Sequence, residues 1–351
     1  MANVEMWAGT EAMVSNILNS DNRLFALARQ GQRPPSALTA IVVVFCVLLL
    51  VLIPGQILGR IVLVSYDGRP RFPSGIQSLA EPIVQNISMF LLIYVGLWAG
   101  LRLSSKRPFW TLGLERHHVF QRGLRGMLVA GLMMTATAGL SIVPGASVGP
   151  GLLQTMGLAA LGIRLLSLLS YFVQGPAEEV LFRGWLLPVI GARYRPWIGV
   201  LMSSIIFSLA HAISPGITVL GFFNLFLFGV FASLYALAEG GVWGVGAWHA
   251  VWNWTEMDLL GFVSEGTHHS GLLSNIRVDG PQIITGGAFG PDDGLAFTAV
   301  FLTAIGTVAI WTAMRQRPKV LVARDTSATS PMERSRRVSE GLGAADPGFA
   351  G

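Results

Sequence analysis

Charge is scarce in this sequence. Asp, Glu, Lys and Arg make up 12% of its 351 residues, about half the share of an average soluble domain. With 52% hydrophobic residues and a mean hydropathy of +0.58, that scarcity excludes a disordered chain and argues against an ordinary soluble globule. Cysteine is nearly absent. Cys46 stands alone, which rules out an internal disulfide and a cysteine-based zinc site. Inside an apolar run it reads as a small lipid-facing or packed hydrophobe. Lysine occurs only at Lys106 and Lys319, and the other 22 basic residues are arginine, a skew that fits a GC-rich bacterial genome. A formal charge of +5 on so few charged residues gives no nucleic-acid footprint and no nucleic-acid partner is expected. No internal repeat, Gly-rich nucleotide loop or cleavable signal peptide is visible. The first 36 residues mix both charge signs with no apolar core behind a basic start.

Long apolar runs are what the sequence does have. A bilayer core of ~30 Å needs ~20 apolar residues per helix. Eight stretches qualify as candidates, near 38–58, 83–103, 123–143, 161–187, 196–213, 217–239, 242–263 and 294–314. The expected fold is an all-α polytopic membrane helical bundle of about eight transmembrane helices. An arm at 1–36, with a short amphipathic helix around Met13–Leu27, precedes a bundle at 37–315, and a disordered tail follows at 316–351. Residues 152–160 are read as an interfacial turn, and Gly175–Pro176 as a kink in the fourth span. Ser214–Pro215–Gly216 makes a tight turn between the fifth and sixth. With both termini in the cytoplasm, eighteen basic residues fall inside and four outside, the asymmetry of the positive-inside rule. That orientation makes the Gly-rich stretch 264–293 an external loop.

Ionisable side chains inside membrane spans are functional candidates by default. Glu178 and Glu179 are adjacent, and Arg183 lies four residues beyond Glu179. On a helix Glu179 and Arg183 share a face and can pair, while Glu178 points about 100° away. Pairing explains one carboxylate and leaves the other. His211 ends the fifth span, four residues after Phe207. His249 opens the seventh, four residues before Asn253. At a rise of ~1.5 Å per residue, Glu178, His211 and His249 lie ~18, ~22 and ~12 Å into their spans, so all can meet in one buried cavity. A carboxylate in a dry cavity suits general-base work. Two imidazoles with a carboxylate can bind zinc and leave a position for water. An amide or a protonated imidazole can hold an oxyanion. No Ser or Cys is paired with a base, and no His-Glu-x-x-His helix is present. The sum points to amide hydrolysis by an activated water.

These residues resemble the CPBP family, which takes in CAAX prenyl endopeptidases, bacteriocin-processing proteins and Abi proteins. The family pattern reads here as Glu178-Glu179-x-x-x-Arg183, Phe207-x-x-x-His211 and His249-x-x-x-Asn253, in order and complete, within about 160–263. The resemblance implies a multi-pass intramembrane endopeptidase of the cell membrane, acting on a membrane-associated protein or peptide. It implies that Glu178 activates water with His211. His249 and Asn253 then hold the oxyanion or complete the site, and Glu179 and Arg183 brace it. The family is usually called a metalloprotease, and a metal-independent glutamate mechanism has also been argued. A zinc ion would take Glu178, His211 and His249.

Two other classes compete. A non-catalytic scaffold or immunity protein would keep the fold without needing Glu178, and a transporter would use the buried charges as a proton path. The remaining ionisable residues get plainer readings. Glu239 is an interfacial charge, and Arg164 snorkels or pairs within the bundle. Glu256 and Asp258 could face the cavity, with a turn towards water as the simpler account. His268 and His269 are solvated loop residues, and His117 and His118 sit among lipid headgroups.

Overall fold

The computed structural model describes residues 18–32, 35–65, 69, 74–143, 145–264 and 266–315, with 74–79 and 315 described by backbone only. The first 17 residues of the expected arm, Arg33, Glu265 and the expected tail from 316 onward lie outside the described residues.

Each of the eight apolar stretches is a helix or a run of helices. In chain order, α1 is Arg23–Arg29, α2 Ala37–Leu63, α3 Ser74–Leu103 and α4 Val119–Ile142. The short α5, Leu152–Met156, precedes α6, Leu158–Arg193. Then come α7, Pro196–Ala210, α8, Val219–Glu239, α9, Trp243–Trp254, the short α10, Gln282–Thr285, and α11, Leu295–Arg315. The caps explain several of these limits. Ser36 accepts from Thr39 N at the start of α2. Thr218 accepts from Leu220 N and Gly221 N at the start of α8, and α8 stops at Gly240, a left-handed glycine at φ 69°.

Among the described residues six helices are long and apolar enough to cross a membrane: α2, α3, α4, α6, α8 and α11. The protein is an all-α polytopic membrane bundle. The other two expected spans are shorter. At ~1.5 Å per residue, α7 reaches ~22 Å and α9 ~18 Å, less than a ~30 Å bilayer core. Lipid-facing character is plain on α2, where Leu38, Phe45, Cys46 and Ile53 are exposed. The arm is less free than its polarity suggests. Leu24, Phe25, Leu27 and Ala28 of α1 are buried, and Phe25 packs against Gly191 at the end of α6.

Proline does not break α6. The helix runs through Pro176 and widens to a π-helical stretch at Val180–Leu186, every residue of which is buried. Such π segments recur at functional sites. The expected interfacial turn at 152–160 is α5, closed by Gly157 at φ 63°.

The stretch read as an open loop at 264–293 has structure of its own. β2 (Val263–Ser264) pairs with β3 (Thr267–His268). β4 (Ser274–Val278) pairs antiparallel with β1 (Ala146–Pro150), with Ala146 opposite Val278. The hairpin and ladder fold the segment back onto the bundle. A 3₁₀ turn at Pro291–Asp293 then enters α11.

Helix α9 is held tightly between α4 and α6. Close approach needs missing side chains at two places. A Cβ on Gly126 of α4 would collide with Gly244 O of α9, and one on Gly175 of α6 would lie 2.6 Å from Ala250 N of α9. Behind α9, Phe228 and Phe231 of α8, Trp248 and Trp252, and Phe297 and Phe301 of α11 form a buried aromatic wall. Trp248 sits 4.6 Å from Phe228 and 4.8 Å from Phe231, centroid to centroid.

Candidate active site

The adjacent glutamates have separate environments. Glu179 is fully buried, and its Oε1 accepts from Arg183 Nη1 at 3.1 Å and from His249 Nδ1 at 2.8 Å. Arg183, also fully buried, sends Nη2 to the carbonyl of Gly229 on α8 at 3.3 Å. One carboxylate thereby joins α6, α8 and α9. The phenyl ring of Phe207 lies 4.6 Å from the guanidinium carbon and covers the pair. Glu178 points elsewhere, as the helical 100° step requires. It makes no hydrogen bond among the described residues, and it lines a cavity of about 820 Å³.

His211, His249, Asn253 and Phe207 line the same cavity. The structure thus divides the six expected site residues. Glu178, His211, His249 and Asn253 meet at the cavity, while Glu179 and Arg183 stand behind it. The two histidines are oriented alike. His211 Nδ1 lies 3.0 Å from the carbonyl oxygen of Phe207, one turn back. With the backbone oxygen as acceptor, Nδ1 carries the proton and Nε2 is left for the cavity. His249 spends Nδ1 on Glu179 and likewise keeps Nε2. Its ring also packs 4.8 Å from Phe228. The Phe207-x-x-x-His211 spacing therefore does two things: the ring seals Arg183, and the carbonyl orients His211.

The zinc set implied by the resemblance needs three donors around one point, each ~2.0–2.3 Å from the metal. Among the described residues no three His, Cys, Asp or Glu side chains come together in that way. Glu178, His211 and His249 share the cavity wall as separate groups from three helices and do not fit a preformed metal site.

Two plainer sequence readings change here, those of Glu256 and Asp258. Both are buried and line the cavity instead of turning to water. A π-helical turn, Thr255–Leu259, continues α9, with Leu260 N donating to Thr255 O. The wider turn brings Asp258 round to the cavity that Asn253 also lines. His268 and His269, at the end of the β2–β3 hairpin, line the rim of the cavity, with His268 exposed and His269 half-buried. Glu239 is buried and pairs with Arg122 and Arg125. Arg164 does pair within the bundle. Nη1 meets Asp258 Oδ1 at 2.8 Å and Nη2 donates to Ser270 O. In addition, Trp254 Nε1 donates to Arg164 O at 3.0 Å. Of this second polar cluster the sequence shows Arg164 as a residue suited to pairing, and it does not identify Asp258 as the partner.

Residues 160–255 match a family model described as type II CAAX prenyl endopeptidase Rce1-like. Among curated proteins, the chain is 37% identical over 81 residues to an uncharacterized 24.3 kDa protein of Escherichia coli. That alignment covers 22% of this chain and 36% of the relative, so the chain spans about a third of the relative's length. The family match begins within α6 and ends one residue past α9, and it contains Glu178, Glu179, Arg183, His211, His249 and Asn253. The three motifs and the matched segment thus coincide, and residues 160–255 of this chain resemble an Rce1-like domain of the type II CAAX prenyl endopeptidase family.

Proposed function

We propose that the protein is an intramembrane endopeptidase that hydrolyses a peptide bond of a membrane-associated protein or peptide. We place it in a bacterial plasma membrane with both termini in the cytoplasm. The observation that carries this reading is the division between the two glutamates. Glu179 is committed to Arg183 and His249, and Glu178 is left uncommitted at a cavity that also holds two histidine Nε2 atoms and an amide.

In the proposed reaction Glu178 takes a proton from water, and the water oxygen bonds to the substrate carbonyl carbon. His211 positions that water through Nε2. Negative charge collects on the former carbonyl oxygen. The Asn253 side-chain N–H donates to it, as does His249 when protonated at Nε2 beside the Glu179 carboxylate. Glu178 then delivers its proton to the departing nitrogen and the C–N bond breaks, giving a carboxyl and an amine. The sealed Glu179–Arg183 pair keeps the His249 ring in place.

The test is cleavage of a quenched peptide library by purified protein in liposomes, wild type beside Glu178→Gln, with metal content measured on both. Loss of about 10²–10⁴ in rate is expected for removal of a general base. A folded wild type that cleaves nothing would favour the scaffold reading. A Glu178→Gln variant that cleaves normally would end the assignment. Stoichiometric zinc lost with His211→Ala would replace the metal-free reaction with a zinc-dependent one.

A further inference from the structure

A second recess lies on the far side of the aromatic wall. It is a groove of about 710 Å³ between α4, α8 and α11. Its sides are almost wholly apolar, including Val129, Leu132, Leu140, Ala304 and Val308. One end is different. There Arg125 lines the groove, with its guanidinium carbon 5.8 Å from the ring centre of Trp311. Arg125 Nη2 is 3.8 Å from Glu239 Oε2, and Arg122 Nε is 3.4 Å from Glu239 Oε1. Two arginines thus share one carboxylate and leave a formal charge of +1 at the groove's end. Arg125 Nε is buried and has no hydrogen-bond partner among the described residues.

We infer that this groove binds an anionic phospholipid, with the phosphate at Arg125 and one acyl chain along the groove. The dimensions agree. Arg125 to Leu140 is fifteen residues of one helix, or ~22 Å, and one leaflet of bilayer hydrocarbon is ~15 Å thick. The depth agrees as well. Arg125 lies in the second turn of α4, Glu239 is the last residue of α8, and Trp311 is in the final turns of α11. All three belong at the level of the headgroups, where indole rings and snorkelling arginines concentrate. The chain just before α4 holds Arg102, Lys106, Arg107 and Arg116, so this end of the bundle faces the leaflet that anionic lipids favour. A neutral lipid would satisfy the apolar walls and leave the charge unanswered. The inference does not depend on the proposed protease activity, since the groove shares no lining residue with the cavity.

The experiment is native mass spectrometry of the delipidated full chain. It is titrated with phosphatidylglycerol or phosphatidylcholine of identical acyl chains, with inorganic phosphate as a further arm. Phosphatidylglycerol should bind about fivefold tighter, the scale of one arginine near an anionic headgroup. Arg125→Gln should remove that preference, and Glu239→Gln, which frees both arginines, should enlarge it. Opposite shifts from the two variants separate a lipid site from a folding defect. Equal binding of the two lipids, a preference unmoved by either substitution, or displacement by phosphate alone would overturn the inference. So would displacement of phosphatidylglycerol by an uncharged isoprenoid alcohol at equal concentration, since the groove would then select chains and not headgroups.

Discussion

Two arginine–carboxylate pairs flank the cavity, and they differ in how much water they see. Arg183 and Glu179 are wholly sealed, with His249, Gly229 O and the Phe207 ring filling the space around them. Arg164 and Asp258 stand at the cavity wall with side chains 13% and 7% exposed, and Arg164 also holds Ser270 O of the hairpin segment. The first pair fixes residues that would do chemistry. The second ties α6 to the hairpin segment that lines the cavity. Burial sets what each can tolerate. A sealed ion that loses its partner has no water to replace it, whereas an ion at the wall has the cavity.

Breaking the sealed pair from one side should give the largest effect. Arg183→Ala leaves Glu179 as a buried carboxylate facing only His249, and a loss of about 3–5 kcal/mol of stability is expected. Removing both charges, as in Glu179→Gln with Arg183→Met, should cost clearly less. Thermal unfolding in detergent of the single and double variants measures the difference, and equal losses would mean the pair is not a unit. The wall pair should respond more mildly. Arg164→Gln gives up a charged hydrogen bond to Asp258, about 1.5–3 kcal/mol. If the segment is the cavity's cover, that variant should also become more open to proteolysis at 266–272 while α6 stays protected. Unchanged proteolysis would reduce the pair to a simple strut.

The same comparison shows what the sequence could reveal. The sealed cluster was legible because charge inside an apolar run is conspicuous, and because Glu179 and Arg183 are spaced for one helical face. That spacing survives although the helix widens to a π form from Val180 onward. The wall cluster was legible only at Arg164, whose pairing within the bundle was one of two expected roles. Asp258 reaches the cavity only through the π turn after α9, and His268 and His269 only through a hairpin of two-residue strands. Neither has a periodic signature. The eight apolar stretches were found near their true positions, yet their composition did not show that α7 and α9 are shorter than a bilayer. That shortness is set by where the chain turns, at the Ser214–Gly216 region and at Gly261 just after the π segment, and not by hydropathy.

Outside the spans, two further carboxyls extend the contrast with opposite signs. Asp293 is buried beside the start of α8. It accepts from Thr218 Oγ1 at 2.6 Å and has its second oxygen unpartnered. Burial pushes its pKa up, against the hydrogen bonds from Thr218 and Gly221. The folded chain therefore holds this proton more tightly than the unfolded one, and the stability it contributes is lost as pH rises through the folded pKa. Asp293→Asn should remove that decline, seen as a flatter dependence of Tm on pH in the mildly acidic range. Glu115 is the exposed counterpart. Its hydrogen bond to Arg23, 2.5 Å from Arg23 Nη2, holds its pKa below the usual carboxylate range. The stability from this pair is present above the unfolded pKa and is lost as pH falls through the folded one. Arg23 is half exposed, so water screens the pair and its worth should be only about 0.2–1 kcal/mol. Glu115→Gln should lower Tm slightly at neutral pH and not at all at low pH, and the loss should shrink in high salt. A large, salt-independent loss would mean that Arg23 anchors α1 to the bundle far more firmly than an exposed ion pair can.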